Sequence, residues 1–202
     1  MQLMLKNKRQ AFPALSKPQA IGDGDPAYGN RVIIDPDDPD VKVLDAAMLK
    51  VAKDKWKDDG EAVFNLLKED KKVCFVHGPY KNKKTGKVYD GFEGKYYLGT
   101  RRPEGKGRPT CVDKYGNEIK DSSEIERVLY SGCLVNQKVE IWAQDNSFGR
   151  RINCDVLGVM FAGDGPSFGG GSPAASADEF SSMAAKPEDA LDGAAGSEGD
   201  YV

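Results

Sequence analysis

Between Gly78 and Arg108 the chain reads GPYKNKKTGKVYDGFEGKYYLGTRRPEGKGR. Lysines and arginines fall between aromatic rings on a glycine-rich backbone. Cations attract phosphates without regard to base identity, and exposed ring faces stack unpaired bases. Lys81, Lys83, Lys84, Lys87, Arg101 and Arg102 are the candidate phosphate contacts, and Tyr89, Phe92 and Tyr96 the candidate stacking rings. The competing reading is a solvated loop whose lysines only confer solubility. Solubility does not call for exposed rings, so the aromatic density favours a nucleic-acid surface. Sequence-specific duplex readout would want a recognition helix or a metal-stabilised finger, and the sequence signals neither.

A second basic and aromatic group lies further on. Phe148 within the turn-forming QDNSFG stretch is a further candidate stacking ring, and Arg150 and Arg151 just after it would line the far side of a groove. A different chemistry is suggested by Asp35, Asp37, Asp38 and Asp40 in DPDDPD. Clustered carboxylates can hold divalent metals for phosphodiester hydrolysis, which makes a metal-dependent nuclease or resolvase the alternative function. The prolines and mutual repulsion favour an exposed approach to a helix N-terminus instead. Cys74 and His77 have a C-x-x-H spacing, but two further zinc ligands are missing. Cys74, Cys111, Cys133 and Cys154 read as buried thiols. His77 is the single histidine, which leaves little room for His-based acid–base catalysis. The expectation is a non-enzymatic protein without cofactor or metal.

The net charge of −3 over 202 residues conceals a division. From Asp164 onward there are eight acids and one base, or −7, leaving Met1–Gly163 with 28 bases and 24 acids, or +4. Lys71–Arg108 alone carries eleven bases and three acids. Such segregation points to an anionic partner for the body and a separate task for the end. Residues 166–202 are rich in Gly, Ser, Ala and acids, and too poor in hydrophobes to offset the entropy of ordering. They are expected to be a disordered acidic tail after a domain of residues 1–165. The end of the chain, −7 from Asp164 onward, has the sign needed to compete with nucleic acid for a basic groove. No run of eighteen apolar residues occurs, and MQLMLKNKRQAF has no hydrophobic signal core, so a cytoplasmic protein is expected.

These residues need a scaffold. Val135, Val139, Ile141 and Ala143 alternate with polar residues, and Ile152–Phe161 follows as an apolar run, so the two read as a β-hairpin joined by about six residues. Lys6–Pro18 holds two prolines and must be an edge strand or one broken by a bulge. Gly22–Asn30 reads as a loop, Arg31–Ile34 as a core strand and Val73–Val76 as a buried strand. Val41, Leu44, Met48, Val51 and Trp56 mark an amphipathic helix, with Trp56 as a core anchor. Asp59–Leu67 suggests a second helix with Ala62, Val63, Leu66 and Leu67 inward. Tyr97 is inward if Tyr96 is outward. Pro109–Val112 and Ile119 are short strand material, and KDSSEIE is a polar lead-in to the hairpin.

The order of motifs resembles a bacteriophage single-stranded-DNA-binding protein family with an OB fold. A basic A-F-P segment (11–13), a Tyr-containing loop, V-I-I (32–34) and a helix ending in K-W (55–56) are followed by Y-S-G-C (130–133), W-A-x-D-N (142–146) and a final G-D-G (163–165). The resemblance implies a mainly β protein, a five-stranded Greek-key barrel with a helical insertion. It implies sequence-independent binding and protection of single-stranded DNA in phage replication and recombination. The acidic tail would dock polymerase, helicase/primase or recombinase, and a homodimer is open. The family's tail often finishes on an aromatic residue, whereas here Tyr201 precedes Val202. An RNA-binding or scaffold protein of the same fold is a third reading.

Overall fold

The computed structural model describes residues 1–20 and 24–168. In chain order these form β1 (Gln2–Gln19), β2 (Ala27–Ile34), α1 (Asp40–Trp56), α2 (Gly60–Glu69), β3 (Phe75–Val76), β4 (Tyr96–Gly99), β5 (Arg102–Pro103), β6 (Thr110–Val112), α3 (Ser122–Val128), β7 (Leu134–Asn146) and β8 (Gly149–Gly163). The sheet order is β3-β4-β2-β1-β7-β8-β6, with β5 alongside β2. Neighbours are antiparallel except β6 and β8. The sheet curls until Arg101 N donates to Cys154 O at 2.8 Å and Ile152 N to Lys72 O at 3.0 Å, drawing β8 toward the β3–β4 end. The mainly β class with an inserted helix pair is as expected. Apart from 166–168, the expected tail lies outside the described residues.

The two-proline strand is central, not an edge. β1 lies between β2 and β7 and absorbs its irregular residues in register slips between Leu5 and Lys8, Ala11 and Ala14, and Ala14 and Gln19. Asn7 and Phe12 take φ of 51° and 50° there. A bulge spares Pro13 a ladder hydrogen bond and bends the strand. β2 begins at Ala27, so the expected loop 22–30 is shorter than its composition suggested.

Val32, Ile34 and Leu98 face one side of the sheet, where α1 buries Leu44, Ala47, Met48, Val51, Ala52 and Trp56 against them. The inward stripe of α2 is Gly60, Val63, Phe64 and Leu67. Ala62 and Leu66, expected inward, are exposed, Leu66 at 62%. Gly60 sets this phase: a Cβ there would stand 2.5 Å from the Lys53 Cα, so the two helices meet backbone to backbone.

The expected hairpin is longer than its turn chemistry implied. The strands pair through Asn146 and Gly149, leaving Ser147–Phe148 at the tip. The Asn146 carboxamide accepts from Phe148 N at 3.0 Å, and Gly149 supplies a φ of 93°. The polar lead-in is in fact α3. Asp121 caps it by accepting from Glu124 N at 2.9 Å, and Ile125 anchors it beside Leu15, Leu129 and Val135.

At the crossing of β1, β2 and β7 the core is polar. Asn30 Nδ2 donates to Gln10 Oε1 and to Gln137 Oε1, each at 3.0 Å. Gln137 Nε2 and Thr100 Oγ1 return bonds to Asn30 Oδ1 at 3.0 and 2.8 Å. Gln10 Nε2 reaches Leu129 O at 2.8 Å. All four residues are buried. Replacing Asn30 with alanine strands several of these groups, each costing about 1–3 kcal/mol. Urea unfolding should therefore show Asn30→Ala destabilised by about 3 kcal/mol or more.

Candidate nucleic-acid interface

The face of the sheet turned away from the helices carries a second set of side chains. Arg9 pairs with Ile33 and Ile33 with Tyr97; Ala11 pairs with Arg31 and Arg31 with Gly99. Gly99 leaves Arg31 a flat resting place, for a Cβ there would lie 3.4 Å from Arg31 Nη1. The segment from Pro79 to Lys95 folds over this face. Tyr89 N donates to Tyr80 O at 3.1 Å and Phe92 N to Tyr89 O at 3.0 Å, which bundles its rings together. Tyr80, Val88, Tyr89, Phe92 and Tyr97 then pack on Ala11 and Ile33.

The rings form a graded pile. Phe92 lies fully buried at its base. Tyr80 and Tyr89, half-buried, stack with centroids 5.2 Å apart and planes 20° from parallel. Phe12 crowns them, 4.9 Å from Tyr89 and 5.8 Å from Tyr80, and is 46% exposed. Its φ of 50° is unusual for a bulky residue and costs on the order of 1–3 kcal/mol. The β1 bulge thus holds the exposed Phe12 ring over the pile at that cost.

Two guanidinium groups flank the pile. The Arg31 Cζ lies 5.0 Å from the Tyr80 ring centroid. Its Nη1 meets only its neighbour's carbonyl, Asn30 O, at 3.3 Å, and its Nε is buried with no partner among the described residues. A guanidinium so under-used is ready for an anion. Burial pushes the Tyr97 hydroxyl above its ordinary pKa, with Arg31 opposing and Tyr80 adding to the rise, so it stays a neutral donor. Arg9 Nε donates to Gly132 O at 3.3 Å.

The sequence candidates separate into distinct places. Lys81, Lys83, Lys84 and Lys87 are exposed on the segment that carries the pile, with no ion pair among the described residues. Tyr89 is in the pile; Phe92 is its floor, with no face open to a base. Tyr96 points to the helical side, parallel to His77 at 4.5 Å, whereas Tyr97 joins the pile. Arg101 is exposed, with Nη2 on Asp25 O at 2.5 Å. Arg102 ties the following turn, donating to Gly107 O at 2.8 Å and Lys106 O at 2.6 Å. Phe148 is 86% exposed at the hairpin tip, and Arg151 is exposed on the adjoining strand. Arg150 pairs with Asp145 at 3.2 Å, and Asp145 accepts from Trp56 Nε1 at 2.7 Å. The tip is thus tethered to the end of α1, apart from the pile. Sequence reasoning missed Arg9, Phe12 and Arg31 as site residues. The available signals were an aromatic beside proline inside a strand and an arginine leading a β-branched run.

Comparison with known proteins points the same way. The family model described as "Enterobacter phage Enc34, ssDNA-binding protein" matches residues 1–191. A protein called p50 from Acyrthosiphon pisum secondary endosymbiont phage 1 is 31% identical over 195 residues, 95% of this chain and 98% of its own length. The single-stranded DNA-binding protein from bacteriophage Enc34, solved in complex with ssDNA, superposes with a TM-score of 0.68 at 24% identity, over 83% of this chain and 89% of that one. The fold extends to gp2.5, a single-stranded DNA-binding protein encoded by bacteriophage T7, with a TM-score of 0.53 at 13% identity over 93% and 96%.

The acidic turn is committed to structure. Lys8 Nζ lies 2.5 Å from Asp38 and 2.8 Å from Asp40, and Lys95 pairs with Asp35. Asp38 Oδ1 also accepts from Asp40 N at 2.9 Å at the start of α1. Three of the four carboxylates are therefore held by lysines, and the nuclease alternative finds no support. The C-x-x-H pair is likewise divided. His77 Nε2 faces Asp45 at 2.9 Å, and Cys74 is buried beside β4, its carbonyl accepting from Gly99 N at 2.8 Å. Among the described residues no group of three His, Cys, Asp or Glu gathers as metal ligands. Burial raises the Asp38 carboxyl, but hydrogen bonds from Lys8 and the Asp40 N–H outweigh it and hold the group below its ordinary 3.8. Burial lowers Lys8, and Asp38 and Asp40 reverse that, holding its ammonium above its ordinary 10.5. The depressed carboxyl stabilises the fold above its unfolded pKa, and this is lost as pH falls through the folded value; the raised ammonium stabilises it below its unfolded pKa, and this is lost as pH rises through the folded value. Lys8→Met should thus be less stable than the parent at pH 7. Urea unfolding at about pH 2.5 should show that deficit narrowed.

Proposed function

The chain belongs to the phage single-stranded-DNA-binding protein family of Enterobacter phage Enc34, and from that premise we propose how it holds its strand. It is a non-enzymatic protein that binds single-stranded DNA in phage DNA replication. Binding is independent of sequence and protects the strand during replication and recombination. The observation that carries the reading is the graded pile of rings between Arg9 and Arg31 on one sheet face. Phe12, Tyr80 and Tyr89 stack unpaired bases. Arg31, Lys81, Lys83, Lys84 and Lys87 neutralise phosphates, and Arg101 extends the cationic track. Phe92, Tyr97 and Arg102 hold these groups in place, and Tyr96 braces the far side of β4. Phe148, Arg150 and Arg151 at the hairpin tip make a second contact along the same strand.

The acidic residues after Gly165 compete for the track and dock replication enzymes such as polymerase, helicase/primase or recombinase, in the host cytoplasm. Among the described residues no helix is long and apolar enough to cross a membrane.

Gel shifts with oligo-dT at rising salt test the reading. Neutralising six phosphates predicts a log–log slope of roughly −4; binding that is absent at low salt, or indifferent to salt, refutes it. Oligo-U competition separates DNA from RNA preference. Phe12→Ala should weaken oligo-dT binding by about 1–3 kcal/mol, roughly five- to 150-fold, with the salt slope unchanged. Ending the chain after Gly165 should tighten binding at low salt, and an unchanged affinity would remove the competition claim while leaving the ring pile standing.

A further inference from the structure

Where the chain leaves β8 it turns back across the ring face. The Tyr130 hydroxyl lies 3.1 Å from Asp164 Oδ1, donates to Gly165 O at 3.0 Å and accepts from Gly165 N at 3.0 Å. Pro166 O then accepts from Arg9 Nη2 at 2.5 Å, and Phe168 N donates to Ser131 O at 2.9 Å. Two glycines make room for this crossing. At Gly132 a Cβ would fall 2.2 Å from Pro166 O, and at Gly91 one would fall 2.3 Å from Phe168 Cε1. The Arg9 Cζ sits 3.9 Å from the centroid of the Phe168 ring. The ring is therefore held between a guanidinium plane and bare glycine backbone.

We infer that Arg9 and Gly91 bound a slot for a single nucleobase, and that Phe168 fills it as a stand-in when no strand is present; the inference rests on the single-stranded-DNA reading above. A nucleobase is flat and aromatic like a phenyl ring, and a guanidinium stacks on either. Gly91 lies between Tyr89 and Phe92, so the slot adjoins the pile and continues its stacking path. Phe168 is only partly buried, so it can leave without opening the core. Its departure also frees Arg9 Nη2 from Pro166 O, giving the guanidinium a donor for a base carbonyl. Phe168 carries no charge. Its competition with a base is therefore indifferent to salt, unlike competition by acidic residues.

Full-length protein and Phe168→Ala are titrated with labelled oligo-dT, and with an abasic deoxyribose-phosphate chain of equal length, across a salt series. Phe168→Ala should bind oligo-dT about two- to fivefold more tightly, the equivalent of one lost cation–π contact. That ratio should hold at every salt concentration, and the abasic chain should show no gain. Equal affinities on oligo-dT, a gain on the abasic chain, or a gain that vanishes with salt would overturn the slot. Failure of the full-length protein to bind oligo-dT would instead sink the underlying reading. In a second measurement, 4-fluorophenylalanine at position 168 should move to a solvent-exposed fluorine shift when oligo-dT is added to saturation. A resonance that stays in place at saturation overturns the proposal independently of any variant's folding.

Discussion

The ring of amides formed by Gln10, Asn30 and Gln137 with Thr100 is the constraint from which the rest follows. Hydrocarbon side chains at the same crossing would tolerate sliding, because apolar contacts have no direction. Buried amides do not, since each displaced donor or acceptor loses its partner far from water. A slip of β1 by one residue would exchange its two faces. Gln10 would then leave the core, and Arg9 and Ala11 would turn toward the helices. The polar crossing thus decides which side of the sheet carries guanidinium groups and which carries α1.

With that register set, the strands β1, β2 and β4 work on both faces. Val32, Ile34 and Leu98 meet the helices, while Ile33 and Tyr97 meet the aromatic segment. Neither face of this sheet is simply wet, which is why the run Arg31–Ile34 is nearly continuous in apolar residues. The aromatic segment has little regular structure of its own. Its turns use Gly86, Gly91 and Gly94 at positive φ, and its cohesion comes from rings packed on a rigid sheet. An irregular segment over a fixed scaffold can adapt without disturbing the core.

Much of this was legible in the chain. The alternation of Val135, Val139 and Ile141 gave the hairpin, and the spacing of Leu44, Met48 and Val51 gave α1, because burial of one face imposes a period. The lysine-rich segment was equally plain, since charge needs no fold to be counted. The failures have physical reasons. The apolar Leu66 suggests a stripe on α2 one step out of phase, yet close approach at Gly60 chooses the other. Asp121 and Glu124 announced α3, but a run so polar and short carries no periodic signal. Ring orientation was the hardest part. Phe92 and Tyr89 differ by three residues in an irregular segment, where neither period applies, and only tertiary packing makes one a floor and the other a wall. Arg9, Phe12 and Arg31 converge through β1–β2 pairing, which connects positions that are distant along the chain.

The irregularities of β1 carry an evolutionary consequence. Asn7 and Phe12 each sit where the strand gains a residue relative to its partners, so both faces downstream depend on how many residues precede them. Relatives can exchange side chains along this strand, but they cannot gain or lose single positions within it. Lys81–Lys87 bears no such arithmetic and is free to change length. Lineages should therefore drift in size there while the framework keeps its count.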